Sequence, residues 1–249
     1  AGWDNLDSYG TGDYLNLIYR QEGLNFTPGT DNGYSNTNYI LLAQVVAAAS
    51  DTSFRAYVDE NIFDPLGMDD SHVHNDRNEV VRNRAVGYRQ REEGVVMSHP
   101  WDYEIVGSGG VYSTVEDLAR WTRNFDTEAV GGPGFTDQMT TRGRLANGNA
   151  LGYAFGLRIG TYRGRQTVEH GGALEGFRSE YLRFPDDDRT VIVLCNHPAD
   201  AGALARSVAN LVLPGALAPQ GRPASTAPPV DLAPRELQAC TGLYHSAYD

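Results

Sequence analysis

The 249 residues contain no lysine; all 20 basic residues are arginine. No side chain in the chain therefore combines an amine with a pKa that burial could bring near neutrality, since a guanidinium stays charged. Cysteine is nearly absent as well, with two residues. Cys195 lies in the apolar run from Val191 and reads as a buried thiol, and Cys240 lies in the tail. Neither a disulfide framework nor a cysteine metal cluster is implied. No run of about 18 apolar residues occurs, so no transmembrane helix is expected. No charged start followed by an apolar stretch marks a signal peptide. Excess positive charge is missing too: the net charge is -12, which excludes the basic footprint that nucleic-acid phosphates require. With 41% hydrophobic residues, the length suffices for one large domain with a buried core.

Against these absences stands a turn-rich run, Gly29-Thr30-Asp31-Asn32-Gly33-Tyr34-Ser35-Asn36, ahead of an apolar helical pattern. Tyr34 and Asn36 are two apart, so in an extended segment a phenol and an amide can face one cleft, a pairing suited to acid/base chemistry. A tyrosine acting as base needs a cation close by. The run supplies none.

The remaining chain shows two textures. Residues 1–13 read as loop, with a short helix over 14–21 ended by Gly23. Residues 37–50 carry apolar side chains on nearly every side, predicting a buried helix, and a second helix over 52–62 is closed by Pro65. Residues 69–105 hold no sustained period. Within them His72-x-His74 places two imidazoles on one face of a strand, but without a third ligand in evidence the solvated-loop reading prevails. The turn Gly107-Ser108-Gly109-Gly110 lacks the Gly-Lys-Ser/Thr ending of a phosphate loop and reads as a tight turn. Ser113 and Glu116 form a capping box for a helix over 113–125. From Gly152 the pattern turns strand-like, with segments 153–159, 166–170, 177–184 and 190–196 separated by short Gly or Asp turns, which implies an antiparallel sheet. A last helix covers 201–213. Residues 214–235 form a Pro/Ala-rich linker, and 236–249 begin with a strand-like segment.

Pro28 to Asn36, together with Asn38, Leu41, Leu42 and Val45 on the next helix, resembles the Tyr-x-Asn signature of the penicillin-recognising serine hydrolases, class C β-lactamase branch. Ile62-Phe63-Asp64-Pro65-Leu66-Gly67-Met68, the Gly107 to Thr114 turn with Asp117-Leu118, and His170-Gly171-Gly172 are similar to further family segments in the same order. The resemblance spans 1–213. It implies an α+β fold, an antiparallel sheet flanked by helices, with 236–249 opening a C-terminal β-barrel. It also implies a serine hydrolase forming an acyl-enzyme with ester, D-amino-acid peptide or lactam carbonyls, without cofactor or metal.

By that resemblance Tyr34, Asn36 and His170 are catalytic. Gly171, Gly172 and Ala173 bind substrate, with the Ala173 N–H as one oxyanion donor. His in place of the commoner Lys of the third signature leans towards esterase, D-aminopeptidase or carboxypeptidase-like members. The nucleophile of Ser-x-x-Lys is not in the chain, because no serine can be followed by lysine. The expectation is a chain truncated at its N-terminus and inactive alone, whose partners are an acyl substrate and its own N-terminal segment. The alternative is a pseudoenzyme binding a peptidoglycan-like ligand. The resemblance also favours a periplasmic or extracellular location.

Overall fold

The computed structural model describes residues 10–92, 94–97, 104–174, 176–215 and 217–219. The core of the fold is a four-stranded antiparallel sheet in chain order, β5 (Arg158–Tyr162), β6 (Arg165–Leu174), β7 (Phe177–Phe184) and β8 (Arg189–Cys195). The expected α+β architecture is present. Each connection is short, so each strand folds back on its predecessor. Arg163 (φ 48) and Gly164 (φ 82) make the first turn, and Asp188 (φ 50) closes the last. The strand period of two sends Leu182 and Phe184 to one face, where α7 (Ala201–Val212) lies across them. Ala205 and Ala209 are small enough to let α7 approach, and with Val191 and Leu213 they complete this core. Asp200 caps α7, its Oδ1 accepting from Ala203 N at 2.8 Å.

Helices cover part of the other face. α5 (Val115–Thr127) and α6 (Phe135–Thr140) bring Phe125 against Leu157 and Val168, with Trp121, Phe135 and Met139 around them. The α5 cap is Thr114, whose Oγ1 accepts from Asp117 N at 3.1 Å. The capping box expected from Ser113 and Glu116 does not form: the cap falls one residue later, and the Ser113 hydroxyl is engaged with Ser71 at 2.8 Å.

α2 (Asn36–Ser50) departs most from expectation. Only Ile40 and Ala43 are buried, while Leu42 and Val45 are 54% and 61% exposed, since among the described residues nothing covers that face. The next helix is also longer than predicted. α3 (Phe54–Val58) widens into a π-helical turn (Asp59–Phe63) and resumes as α4 (Asp64–Leu66), ended by Gly67 at φ 66. Pro65 does not close it, because in the first turn of the resumed helix its missing N–H costs nothing. The first helix, α1, runs over Thr11–Tyr19, slightly earlier than expected, and is linked to α2 by a 2.9 Å hydrogen bond between Tyr14 Oη and Thr37 Oγ1.

Two small ribbons complete the structure: β1 (His72–Val73) with β4 (Val111–Tyr112), and β2 (Tyr88–Arg91) with β3 (Gly94–Met97). After α7 the chain does not leave the domain at once. Arg165 donates to the Pro214 carbonyl at 2.9 Å, and Arg163 Nε to that of Ala218 at 2.7 Å, holding Pro214 and Ala218 against the β5–β6 turn. The rest of the expected linker and the segment 236–249 lie outside the described residues. No helix among the described residues is long and apolar enough to cross a membrane.

Candidate active site

Tyr34 and His170 are 136 positions apart in sequence, and the fold brings their rings to 6.2 Å between centroids. Two local features place Tyr34. The Pro28–Gly29 turn docks on the 145–148 turn through a 2.8 Å bond from Ala146 N to Gly29 O, with Gly29 at φ 84. Ser35 is extended, and α2 starts directly after it, so Tyr34 projects from the mouth of the helix and is half exposed.

His170 is placed by β6. That strand outruns β5: Arg165 to Glu169 pair with β5, Val168 and Glu169 pair with β7 as well, and His170 to Leu174 pair with β7 alone. The strand expected over 166–170 therefore runs on through Gly171 and Gly172. It is continuous strand, open along one edge for five residues. Glycine is suited to this stretch because a Cβ on Gly172 would come within 2.4 Å of Ser179 Oγ on β7. A Cβ on Gly171 would meet Glu180 Oε2 at 3.0 Å.

A third aromatic closes the group. Tyr153 Oη lies 3.0 Å from His170 Nε2, and its ring stands edge-on to Tyr34 at 6.1 Å. The other imidazole nitrogen, Nδ1, is 2.7 Å from the Gly171 carbonyl, which can only accept. Nδ1 thus carries the proton, and Nε2 accepts from the Tyr153 hydroxyl. Burial lowers the His170 pKa, and Arg158 adds to this, outweighing the Gly171 bond and keeping the ring neutral. Burial also holds the Tyr153 phenol well above its ordinary value, reinforced by the neighbouring Tyr39 and Tyr34, so Tyr153 remains a proton donor. With both nitrogens engaged, the His170 ring has no free N–H to offer.

Asn36 is the first residue of α2 and is exposed. Among the described residues no hydrogen bond joins its side chain to Tyr34 or His170. Ala173, like Gly171 and Gly172, is exposed on β6. Tyr153 and Tyr39 were missed in the sequence because neither belongs to a signature. Tyr153 was placed within a strand, yet it precedes β5 in the loop fixed by bonds from Gly143 N to its carbonyl (2.9 Å) and Ala154 N to Leu157 O (2.8 Å). Beside it runs an open groove of about 430 Å³ lined by Tyr39, Leu42, Arg142, Ala154 and Phe155. The Gly107 turn abuts this region from behind. A Cβ there would lie 2.4 Å from the Tyr39 carbonyl, so the turn holds α2 rather than a phosphate.

The other histidine pair is not in a solvated loop. His74 is buried, its ring stacked on Tyr112 at 4.5 Å, and His72 Nε2 lies 3.3 Å from His74 Nδ1. The third ligand type not evident in sequence is present: Glu79 joins them, the three donor atoms falling within 4.8 Å of one another.

Comparison with known proteins gives the family. The family described as Beta-lactamase matches residues 2–213. A D-aminopeptidase of Cereibacter sphaeroides is 29% identical over 216 residues, covering 84% of this chain and 40% of the relative. Penicillin-binding protein 4* of Bacillus subtilis is 29% identical over 216 residues, covering 80% of this chain and 48% of the relative. Among solved structures, the octameric penicillin-binding protein homologue from Pyrococcus abyssi superposes with a TM-score of 0.71 at 24% identity, over 81% of this chain and 47% of that one. The chain thus spans less than half the length of these relatives. With the family match covering most of its residues and the fold in agreement, the chain belongs to the β-lactamase family.

Proposed function

We propose that this chain forms two walls of an acyl-transfer site, that of a serine hydrolase acting on ester, D-amino-acid peptide or lactam carbonyls. The observation that carries this reading is the meeting of Tyr34, at the mouth of α2, with His170, on the open edge of β6. The nucleophile comes from a Ser-x-x-Lys segment outside these 249 residues, since the chain has no lysine. Alone the chain is inactive.

In the complete site the serine Oγ bonds to the carbonyl carbon. Its proton passes through the lysine and Tyr34 to the leaving nitrogen or oxygen, whose bond to that carbon breaks. Water then attacks the acyl-serine ester, and the same groups return the proton to the serine. Asn36 holds the substrate amide. On the opposite wall the Gly171 carbonyl faces the His170 ring on the unpaired side of β6, and the strand period of two turns the Ala173 N–H to the same side, where it serves as an oxyanion donor. Gly171 and Gly172 keep that wall low enough for substrate to approach backbone.

A neutral His170 with both nitrogens engaged offers no charge to a substrate carboxylate. That leans towards esters and towards amides or peptides with a free amino end. Relatives named D-aminopeptidase, and a structural neighbour described as D-amino acid amidase from Ochrobactrum anthropi, point to the same classes.

The test is to express this chain together with an upstream Ser-x-x-Lys segment from its reading frame, and to assay D-alanine p-nitroanilide, short p-nitrophenyl esters and nitrocefin. Turnover is expected from the longer polypeptide and not from the 249 residues. Tyr34→Phe should lower kcat by about 10²–10⁴-fold, the range for losing a general acid/base. A reading frame without Ser-x-x-Lys would instead favour the second reading, a non-catalytic module holding a peptidoglycan-like ligand in the same cleft.

A further inference from the structure

Outside the cleft, one cluster has the composition and spacing of a metal centre. His72 and His74 are two apart on the β1 ribbon, so both rings leave the same face. His72 Nε2 and His74 Nδ1 are 3.3 Å apart, and His74 Nδ1 is 3.6 Å from Glu79 Oε2. A tetrahedral zinc ion with bonds of about 2.0–2.1 Å sets its ligand atoms roughly 3.3–3.4 Å from one another, so two of the three separations already lie close to that edge.

The surroundings suit a divalent ion. Arg55 grips Glu79 with both terminal nitrogens, Nη1 to Oε2 at 2.6 Å and Nη2 to Oε1 at 2.8 Å, which fixes the carboxylate orientation as an outer-shell partner does. The positive charge of Arg55 is countered by Asp59 and Asp76 besides Glu79. Asp59 Oδ1 is buried without a hydrogen-bond partner, and the carboxylate acts electrostatically on His72. Tyr112 stacks on His74 and holds its ring in place. Burial lowers the pKa of both histidines, leaving the neutral rings that a metal requires.

We propose that His72, His74 and Glu79 bind one Zn²⁺, with water completing the coordination, and that the ion fastens the β1 ribbon to the loop carrying Glu79. Two nitrogens and one carboxylate oxygen select zinc or a similar borderline metal over Mg²⁺ or Ca²⁺. The ribbon leads into the Gly107–Gly110 turn through the 2.7 Å bond from His74 N to Gly110 O. Through that turn the site supports α2 from behind.

The experiment is calorimetric titration of the chelator-stripped 249-residue protein with Zn²⁺ alone. Expected are one equivalent bound, and at least about tenfold weaker binding in both His72→Gln and Glu79→Gln. Both positions are only partly buried, and circular dichroism verifies that the variants are folded. On the unaltered protein, Zn²⁺ should shift the ring resonances of His72 and His74 and leave those of His170 and His197 in place. The absence of binding, undiminished binding in either folded variant, or shifts confined to other histidines would overturn the assignment.

Discussion

The sheet has one closed face and one open end. Under α7, Leu182, Phe184, Ala205 and Ala209 are fully buried, and the strands and helix that enclose them come from one contiguous stretch, 177–213. At the cleft, Tyr34 is half exposed, Phe155 and Leu174 are 58% and 42% exposed, and α2 shows Leu42 and Val45 to solvent. The difference separates what this chain stabilises by its own packing from what it holds ready for another group. The closed face supplies rigidity. The open end supplies a low-walled strand edge, a phenol and a neutral imidazole.

Substitutions should divide along the same line. Phe184→Ala on the closed face should cost about 3–5 kcal/mol, and Leu182→Ala about 2–5 kcal/mol, measured as a shift in urea midpoint. A loss below 1 kcal/mol would show that the α7 core is not what holds the sheet. Next in size is Gly107→Ala. It places a Cβ 2.4 Å from the Tyr39 carbonyl at φ 114, so strain and overpacking should destabilise by about 1–3 kcal/mol. A neutral result there would detach the turn from α2. At the open end, Leu42→Ser should stay within about 0.5 kcal/mol, as exposed positions do. A large loss would mean that α2 is covered in solution.

Acid should weaken the fold gently. His72, His74 and His170 all have pKa values lowered by burial, so between those values and the ordinary one near 6.5 the unfolded chain binds more protons. Their contribution is complete above about pH 6.5 and is lost as pH falls through the lowered values. Glu79, drawn down to about 2 by its hydrogen bond with Arg55, stays ionised throughout that window and does not mask the effect. Urea midpoints at pH 7.5 and 5 should therefore differ, with the lower pH less stable. The Asp59 and Glu180 carboxyls, raised by burial, act in the opposite direction, so equal midpoints would show that the three rings do not outweigh them.

The contrast also governs what the sequence could reveal. Strands β7 and β8 and helix α7 were legible because alternation, Asp turns and a helical stripe are local signals that tertiary packing here reinforces. Tyr34 and His170 were legible only through their signatures. Their meeting in one cleft likewise followed from the resemblance alone, because nothing local couples a turn before α2 to a strand more than a hundred residues later. Tyr153 carries no pattern of its own; its importance comes from where two backbone bonds fix its loop. Glu79 was invisible for the same reason, since a carboxylate five residues beyond a buried histidine becomes a neighbour only once Arg55 draws it in. The exposure of α2 ran opposite to its composition, because an apolar helix is buried only where a partner covers it.

The most direct measurement of the central claim is intact mass after incubation with a serine-acylating probe, a fluorescent penicillin or a phosphonate. The 249-residue chain should remain at its unmodified mass. The longer polypeptide with Ser-x-x-Lys should gain one probe at that serine, and Tyr34→Phe should slow the gain. Stoichiometric labelling of a serine within the 249 residues would contradict the account, because the nucleophile would then lie in this chain.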